Sequence, residues 1–121
     1  MAYVSKQLKA ELAPAIRAVL NNYNVKGTIA VRNHSTLVVN IKQGAIDFED
    51  YSHGDGYIQV NTYWIDSHYK GAARDFLNEL KAAMEGPGFY NNDDAMTDYF
   101  NRSHYIDINI GQWNKPYALA A

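Results

Sequence analysis

Apolar and polar residues repeat along this chain with two different periods, one typical of helices and the other of strands. Over residues 5–22 the apolar residues recur every three or four positions, and the same spacing returns over Gly71–Glu85. This spacing places apolar side chains along one side of an α-helix. The sequence therefore predicts two amphipathic helices, the first capped by Ser5 and the second ended by Gly86.

Strict alternation of apolar and polar residues predicts four β-strands. Residues 27–32 and 36–42 alternate and are separated by Asn33, His34 and Ser35, a polar stretch typical of a turn, so they predict a β-hairpin. Residues 57–61 predict a third strand. Residues 105–110 give the clearest pattern, with three isoleucines on one side and Tyr105, Asp107 and Asn109 on the other.

The order of these segments, α-β-β-β-α-β over residues 1–121, predicts a single α+β domain. Each segment is apolar on one side only, so we expect a mostly antiparallel four-stranded sheet with both helices on one face. The opposite face is then left polar.

This polar face and the hairpin tip form the predicted binding surface. Asparagine occurs twelve times and tyrosine ten times in the chain, and both types suit adaptable recognition surfaces. The predicted binding residues are Arg32, Asn33, His34, Asn40, Lys42, Gln59, Asn61, Tyr105, Asp107 and Asn109. The leading prediction is that the chain binds another protein, as a monomer or homodimer, and is not an enzyme.

The composition of the chain limits its possible location and chemistry. The chain contains no cysteine, which excludes disulfides, thiolate metal sites and a cysteine nucleophile and favours a cytoplasmic location. No apolar run is long enough for a membrane span, and no spacing of ligands predicts a metal or a cofactor. Charge is distributed unevenly along the chain. Residues 1–42 contain six Lys or Arg and one acid, whereas residues 43–121 contain five Lys or Arg and twelve acids. The fold decides whether this split produces a dipolar surface.

Two alternative functions remain open. Nucleic-acid binding would use Lys6, Lys9 and Arg17, which we expect on one face of the first helix together with Ala13. The segment order up to residue 85 matches a double-stranded RNA-binding domain, although the second helix opens with a single arginine where that domain needs several lysines. The other alternative is a small-nucleotide-binding protein or enzyme that uses His34, or His104 with Asp107.

Six short segments, spread over nearly the whole chain, resemble a family of small proteins encoded by phages and plasmids, of the large polyvalent protein-associated domain type. The segments are Tyr3-Val-Ser-Lys6, Leu12-Ala-Pro-Ala-Ile16, Val25-Lys-Gly-Thr28, Val31-Arg-Asn-His-Ser-Thr36, Asp98-Tyr-Phe100 and Tyr105-Ile-Asp-Ile-Asn-Ile-Gly111. The resemblance implies a mobile-element protein that acts inside a bacterial host cell on a host protein, with inhibition of a defence system as the further expectation. It implies no catalytic residues.

Overall fold

A computed structural model confirms the α+β fold and describes residues 3–46, 58–60, 62, 64–86, 104–111 and 117–119. The two long helices and the hairpin lie where the sequence predicts them. In chain order the elements are α1 (Lys6–Asn22), β1 (Val25–Arg32), β2 (Thr36–Gly44), β3 (Ile58–Val60), α2 (Ile65–His68), α3 (Gly71–Glu85), β4 (Tyr105–Ile110) and β5 (Ala118–Leu119). None of the described helices combines the length and the apolar character that crossing a bilayer requires.

The sheet is mixed, which corrects the prediction of a mostly antiparallel sheet. Its strand order is β1-β2-β4-β3, and β2 and β4 run parallel at its centre. The outer pairs, β1 with β2 and β3 with β4, are antiparallel, and the short β5 runs parallel to the end of β2. The alternating pattern determines which side of a strand faces the helices but does not determine its neighbours, so the parallel pair could not be predicted from it.

The predicted hairpin joins β1 to β2 through a tight turn. Asn33 and His34 both have positive φ, 54° and 59°, and the Ser35 amide donates to the Arg32 carbonyl at 3.3 Å. Two consecutive left-handed residues are typical of a type I′ turn, which matches the twist of the paired strands. Further along, the register shifts between Lys26 and Gly27, so that Lys42 has no direct partner on β1 and forms a bulge.

The core lies between the helices and one face of the sheet. Its fully enclosed apolar members come from α1, α3, the two central strands and the residue after α2: Ile16, Leu37, Val39, Ile41, Tyr69, Phe76, Leu77, Leu80, Met84, Ile108 and Ile110. Helix α1 packs against both β1 and α3, so its buried arc is wider than the sequence predicts. Ala13, expected beside Lys9 on an outer face, is buried, and Lys9 itself is half-buried.

Tyr23 joins the end of α1 to α3. Its ring meets Phe76 edge-on, with 5.3 Å between the ring centroids, and its hydroxyl donates a hydrogen bond to the Glu79 carboxylate. That hydrogen bond, together with desolvation and the negative charges of Glu79 and Asp75, raises the pKa of Tyr23 from 10.0 to about 12. The protonated phenol is therefore favoured in the folded protein.

We expect the contribution of the Tyr23 hydroxyl to stability to disappear at alkaline pH. Between pH 10 and about 12 the unfolded chain has lost the phenolic proton while the folded protein retains it, so the free energy of unfolding falls as pH rises. Tyr23→Phe should be less stable than the wild type at pH 8, and the difference should close across this window. Urea unfolding of both proteins at pH 8, 10 and 11.5 measures it. The other tyrosines are common to both proteins and cancel, so a difference that stays constant with pH would contradict the assignment.

Candidate functional site: the polar sheet face and the hairpin tip

An ion pair occupies the centre of the polar sheet face. Arg32 Nη1 on β1 lies 2.8 Å from Asp107 Oδ2 on β4, and Gln59 Nε2 on β3 donates to Asp107 Oδ1 at 3.3 Å. The Asp107 side chain is 7% exposed, whereas that of Arg32 is 54% exposed. Two predicted site residues, Arg32 on β1 and Gln59 on β3, therefore converge on the nearly enclosed carboxylate of a third, Asp107 on β4.

To reach Asp107, the Arg32 side chain has to cross β2. Strand β2 lies between β1 and β4, and two strand spacings amount to roughly 10 Å. Thr36 lies opposite Arg32 on β2, and Val38 lies opposite Asp107, so both are beneath the path of the arginine. Both are buried, although they are on the face away from the helices. The arginine stem covers apolar surface while its charged end stays partly in water.

A second pair of polar side chains lies on the same face of the sheet. Asn109 Nδ2 on β4 donates to Asn40 Oδ1 on β2 at 3.1 Å, and Asn109 is buried. Gln59 and the bulge residue Lys42 are exposed at the margins of the face. Asn61, also a predicted site residue, lies outside the described residues. The centre of this face thus contributes a stabilising polar network, and its exposed groups lie around the edge.

Because Asp107 is buried and Arg32 is not, the two halves of the ion pair should respond differently to substitution. Arg32→Leu leaves a buried carboxylate with only the Gln59 amide, and we expect it to cost about 2 kcal/mol of unfolding free energy, below the 3–5 kcal/mol of a fully buried pair. Asp107→Leu leaves an arginine that can turn to water and should cost about 1 kcal/mol. Urea unfolding of both single variants and the double variant measures this. We expect the double variant to be more stable than Arg32→Leu alone, and additive losses would contradict the coupling.

Two distant segments fix the hairpin tip. The Val4 amide donates to the His34 carbonyl at 2.7 Å, and the Tyr105 amide donates to the Ser35 carbonyl at 2.9 Å. These bonds bring together the exposed residues Tyr3, at 59% exposure, His34, and Tyr105, at 37%. We call the group Tyr3, Arg32, Asn33, His34 and Tyr105 the hairpin-tip surface. Sequence reasoning missed Tyr3, since no local pattern marks it.

The structure does not bring His104 and Asp107 together. His104 is buried beside the end of α3, and its Nε2 lies 2.9 Å from the Met84 carbonyl oxygen. A carbonyl oxygen only accepts, so this contact requires a hydrogen on Nε2. Asp107 points to the opposite face of the sheet, where it meets Arg32. His34 is exposed in the turn that connects β1 to β2.

The basic residues of the N-terminal segment lie on neighbouring elements of the described structure. Helix α1 and the strands β1 and β2 form one side of the molecule, while β4, β3 and α3 form the other. The first side carries the six basic residues of the N-terminal part and a single acid, Glu11. Lys6 and Arg17 are exposed on α1, and Lys26 and Lys42 are exposed at the far end of the hairpin. The fold therefore keeps the basic segment together. Of the twelve acids of residues 43–121, five lie in the described part of the chain: Asp66, Asp75, Glu79, Glu85 and Asp107.

Acidic side chains do not gather into a metal site in the part of the chain that the structure describes. No group of three or more histidines or carboxylates is placed to share an ion there. Asp66 accepts a hydrogen bond from Asn78 at 2.8 Å, which ties α2 to α3, and the ring of His68 packs edge-on against Tyr69. These two residues have contacts within the fold.

Comparison with known proteins adds no relative to this picture. No protein-family model, no curated protein and no solved structure matches this chain.

Proposed function

We propose that this chain is a non-enzymatic binding protein that attaches to another protein through the hairpin-tip surface. The observation that carries the proposal is that Tyr3, Arg32 and Tyr105 lie at one end of the sheet, where backbone hydrogen bonds join their segments to the hairpin turn. Tyrosine and arginine are, with tryptophan, the residue types enriched at the energetic centres of protein interfaces. Because backbone hydrogen bonds already fix this surface, binding would cost little further ordering.

The sequence resemblance supplies the proposed setting. The partner is a host protein in the cytoplasm of a bacterial cell, and the chain acts there as the product of a phage or plasmid. A component of a defence system is the partner that this setting favours, with binding as the means of inhibition. The separation of His104 from Asp107 supports a role without catalysis.

Photo-cross-linking inside bacterial cells tests the proposed interface. Tyr105→p-benzoylphenylalanine keeps an aromatic side chain at the hairpin tip, and the same residue at Ala18, exposed on α1, is the matched control. We expect one discrete adduct with a host protein from position 105 and none from position 18. Tyr3→Ala with His34→Ala should remove the adduct. Equal adducts from both positions, or none from position 105, would exclude the hairpin tip as the interface.

The clustering of basic residues on α1, β1 and β2 favours nucleic-acid binding as a second candidate. The exposed Lys6 and Arg17 lie with half-buried Lys9 on α1, on the basic side of the molecule. A gel shift on double-stranded DNA and RNA tests it. With three phosphate contacts, affinity should fall roughly 40-fold between 50 and 200 mM salt, and Lys6→Glu with Arg17→Glu should abolish the shift. A shift that these changes leave intact would exclude α1 as the contact.

A further inference from the structure

Strand β1 forms one edge of the sheet and is eight residues long. Its inner side pairs with β2, and no strand among the described residues pairs with its outer side. Along an edge strand, alternate residues direct their N–H and C=O groups away from the sheet. Such a row of donors and acceptors is a template on which another extended chain can add.

The side chains of β1 differ between the two faces of the sheet. On the helix side, Ile29 is half-buried and Val31 is 36% exposed, so apolar surface reaches the edge. On the polar face, Lys26, Thr28 and Arg32 are exposed. Arg32 uses one nitrogen for Asp107 and keeps further N–H donors and more than half of its side-chain surface open. A positively charged side chain therefore lies near each end of β1.

We propose that β1 binds an extended segment of the partner protein in which apolar and acidic residues alternate. This proposal rests on the proposed protein-binding function and names the chemistry of the segment that is bound. The segment adds as a further strand, with its apolar residues beside Ile29 and Val31 and its carboxylates beside Lys26 and Arg32. Those two cations are six residues apart, roughly 20 Å, so the segment has carboxylates at both ends of a seven-residue stretch.

Two other occupants fit the edge less well. A second copy of the chain, paired antiparallel over the full strand, would place Lys26 opposite or next to Arg32 of the other copy, and like charges in that position are destabilising. A nucleic-acid backbone would match the cations, but its phosphates only accept hydrogen bonds and would leave the outward carbonyl groups of β1 without donors. An acidic peptide strand satisfies both the charges and the backbone.

The test mixes the 121-residue chain with a ten-residue labelled peptide of alternating valine and glutamate, and fluorescence anisotropy measures the binding. Comparison peptides carry lysine in place of glutamate, or N-methyl groups on all the glutamates or on all the valines. We expect the acidic peptide to bind and the lysine peptide to fail. Because alternate N–H groups of a strand point the same way, one N-methylated peptide should fail and the other should bind.

Substitutions in the protein provide the matched control. Lys26→Glu should weaken the acidic peptide about fivefold, whereas Lys70→Glu, the same change of net charge at an exposed site before α3, should change affinity less than twofold. Equal binding of both N-methylated peptides, equal competition by double-stranded DNA, or no binding at 1 mM peptide would overturn strand addition. A concentration-dependent dimer in which β1 pairs with a second copy of the chain would also overturn strand addition. If one of these results is obtained while position 105 still cross-links to a host protein, the proposed function is retained. Only the proposal that β1 binds an acidic strand is then rejected.

Discussion

Replacing Phe76 by alanine is expected to lower the free energy of unfolding by about 4 kcal/mol. Phe76 is fully enclosed on α3, and its ring meets that of Tyr23, the residue after α1, edge-on. The substitution removes a large apolar side chain where two helices and the sheet meet, and it leaves a cavity that the packed neighbours can close only in part. Since domains of this size are stable by 5–15 kcal/mol, the loss takes a large share of the total.

Urea unfolding followed by circular dichroism measures this effect, and the melting temperature should fall by about 15 °C. Phe76→Leu, which keeps most of the volume, should cost about 1 kcal/mol. Ala82→Ser, on the exposed side of the same helix, should stay within about 0.5 kcal/mol of the wild type. A loss for Phe76→Ala no larger than for Phe76→Leu would mean that the ring is not enclosed by the core.

The helices and the hairpin could be predicted from the sequence because their signals are local. Apolar spacing and the terminal glycine predicted α3 with the bounds Gly71–Glu85 that the structure has. Ser5 caps α1 as expected, its hydroxyl accepting from the Leu8 amide at 3.0 Å. Asparagine in the turn after β1 adopts the left-handed conformation that its short polar side chain tolerates. In each case the residues that determine the structure are neighbours in sequence.

Strand order could not be predicted in this way, and the candidate site depends on it. Arg32 and Asp107 are 75 positions apart, and both were expected on the polar face. Only the parallel placement of β4 beside β2 brings their side chains together across one intervening strand. The same placement buries Asp107 and Asn109, so the sequence predicted the polarity of this face but overestimated how much of it is open.

The clustering of basic residues also follows from strand order. Had β4 or β3 been inserted between β1 and β2, the basic residues of these two strands would have lain further apart. The hairpin instead keeps β1 and β2 adjacent at one edge, with α1 packed on β1. The basic residues of the first third of the chain therefore remain on one side. This side contains both the hairpin tip and the outer edge of β1, with which no described strand pairs, and this links the two proposed contacts with a partner.

Gly86 lies where α3 ends against α1, and its replacement by alanine is expected to cost about 3 kcal/mol. Its φ of 76° and ψ of 174° belong to a region that only glycine adopts readily, and a side chain there costs about 1–3 kcal/mol. A Cβ atom at this position would lie 2.4 Å from Cδ2 of Leu12, which is buried in the core. The leucine must move, and repacking adds further destabilisation of about 1 kcal/mol or more.

Gly71 is the matched control for Gly86. It also has a positive φ, 58°, but a Cβ there would have no atom within 4 Å. Gly71→Ala should therefore cost only the backbone penalty, about 1 kcal/mol. Thermal and urea unfolding of both variants measure the difference, and we expect Gly86→Ala to be the less stable by about 2 kcal/mol. Equal losses would mean that the contact between Leu12 and the end of α3 is loose enough to accept a methyl group.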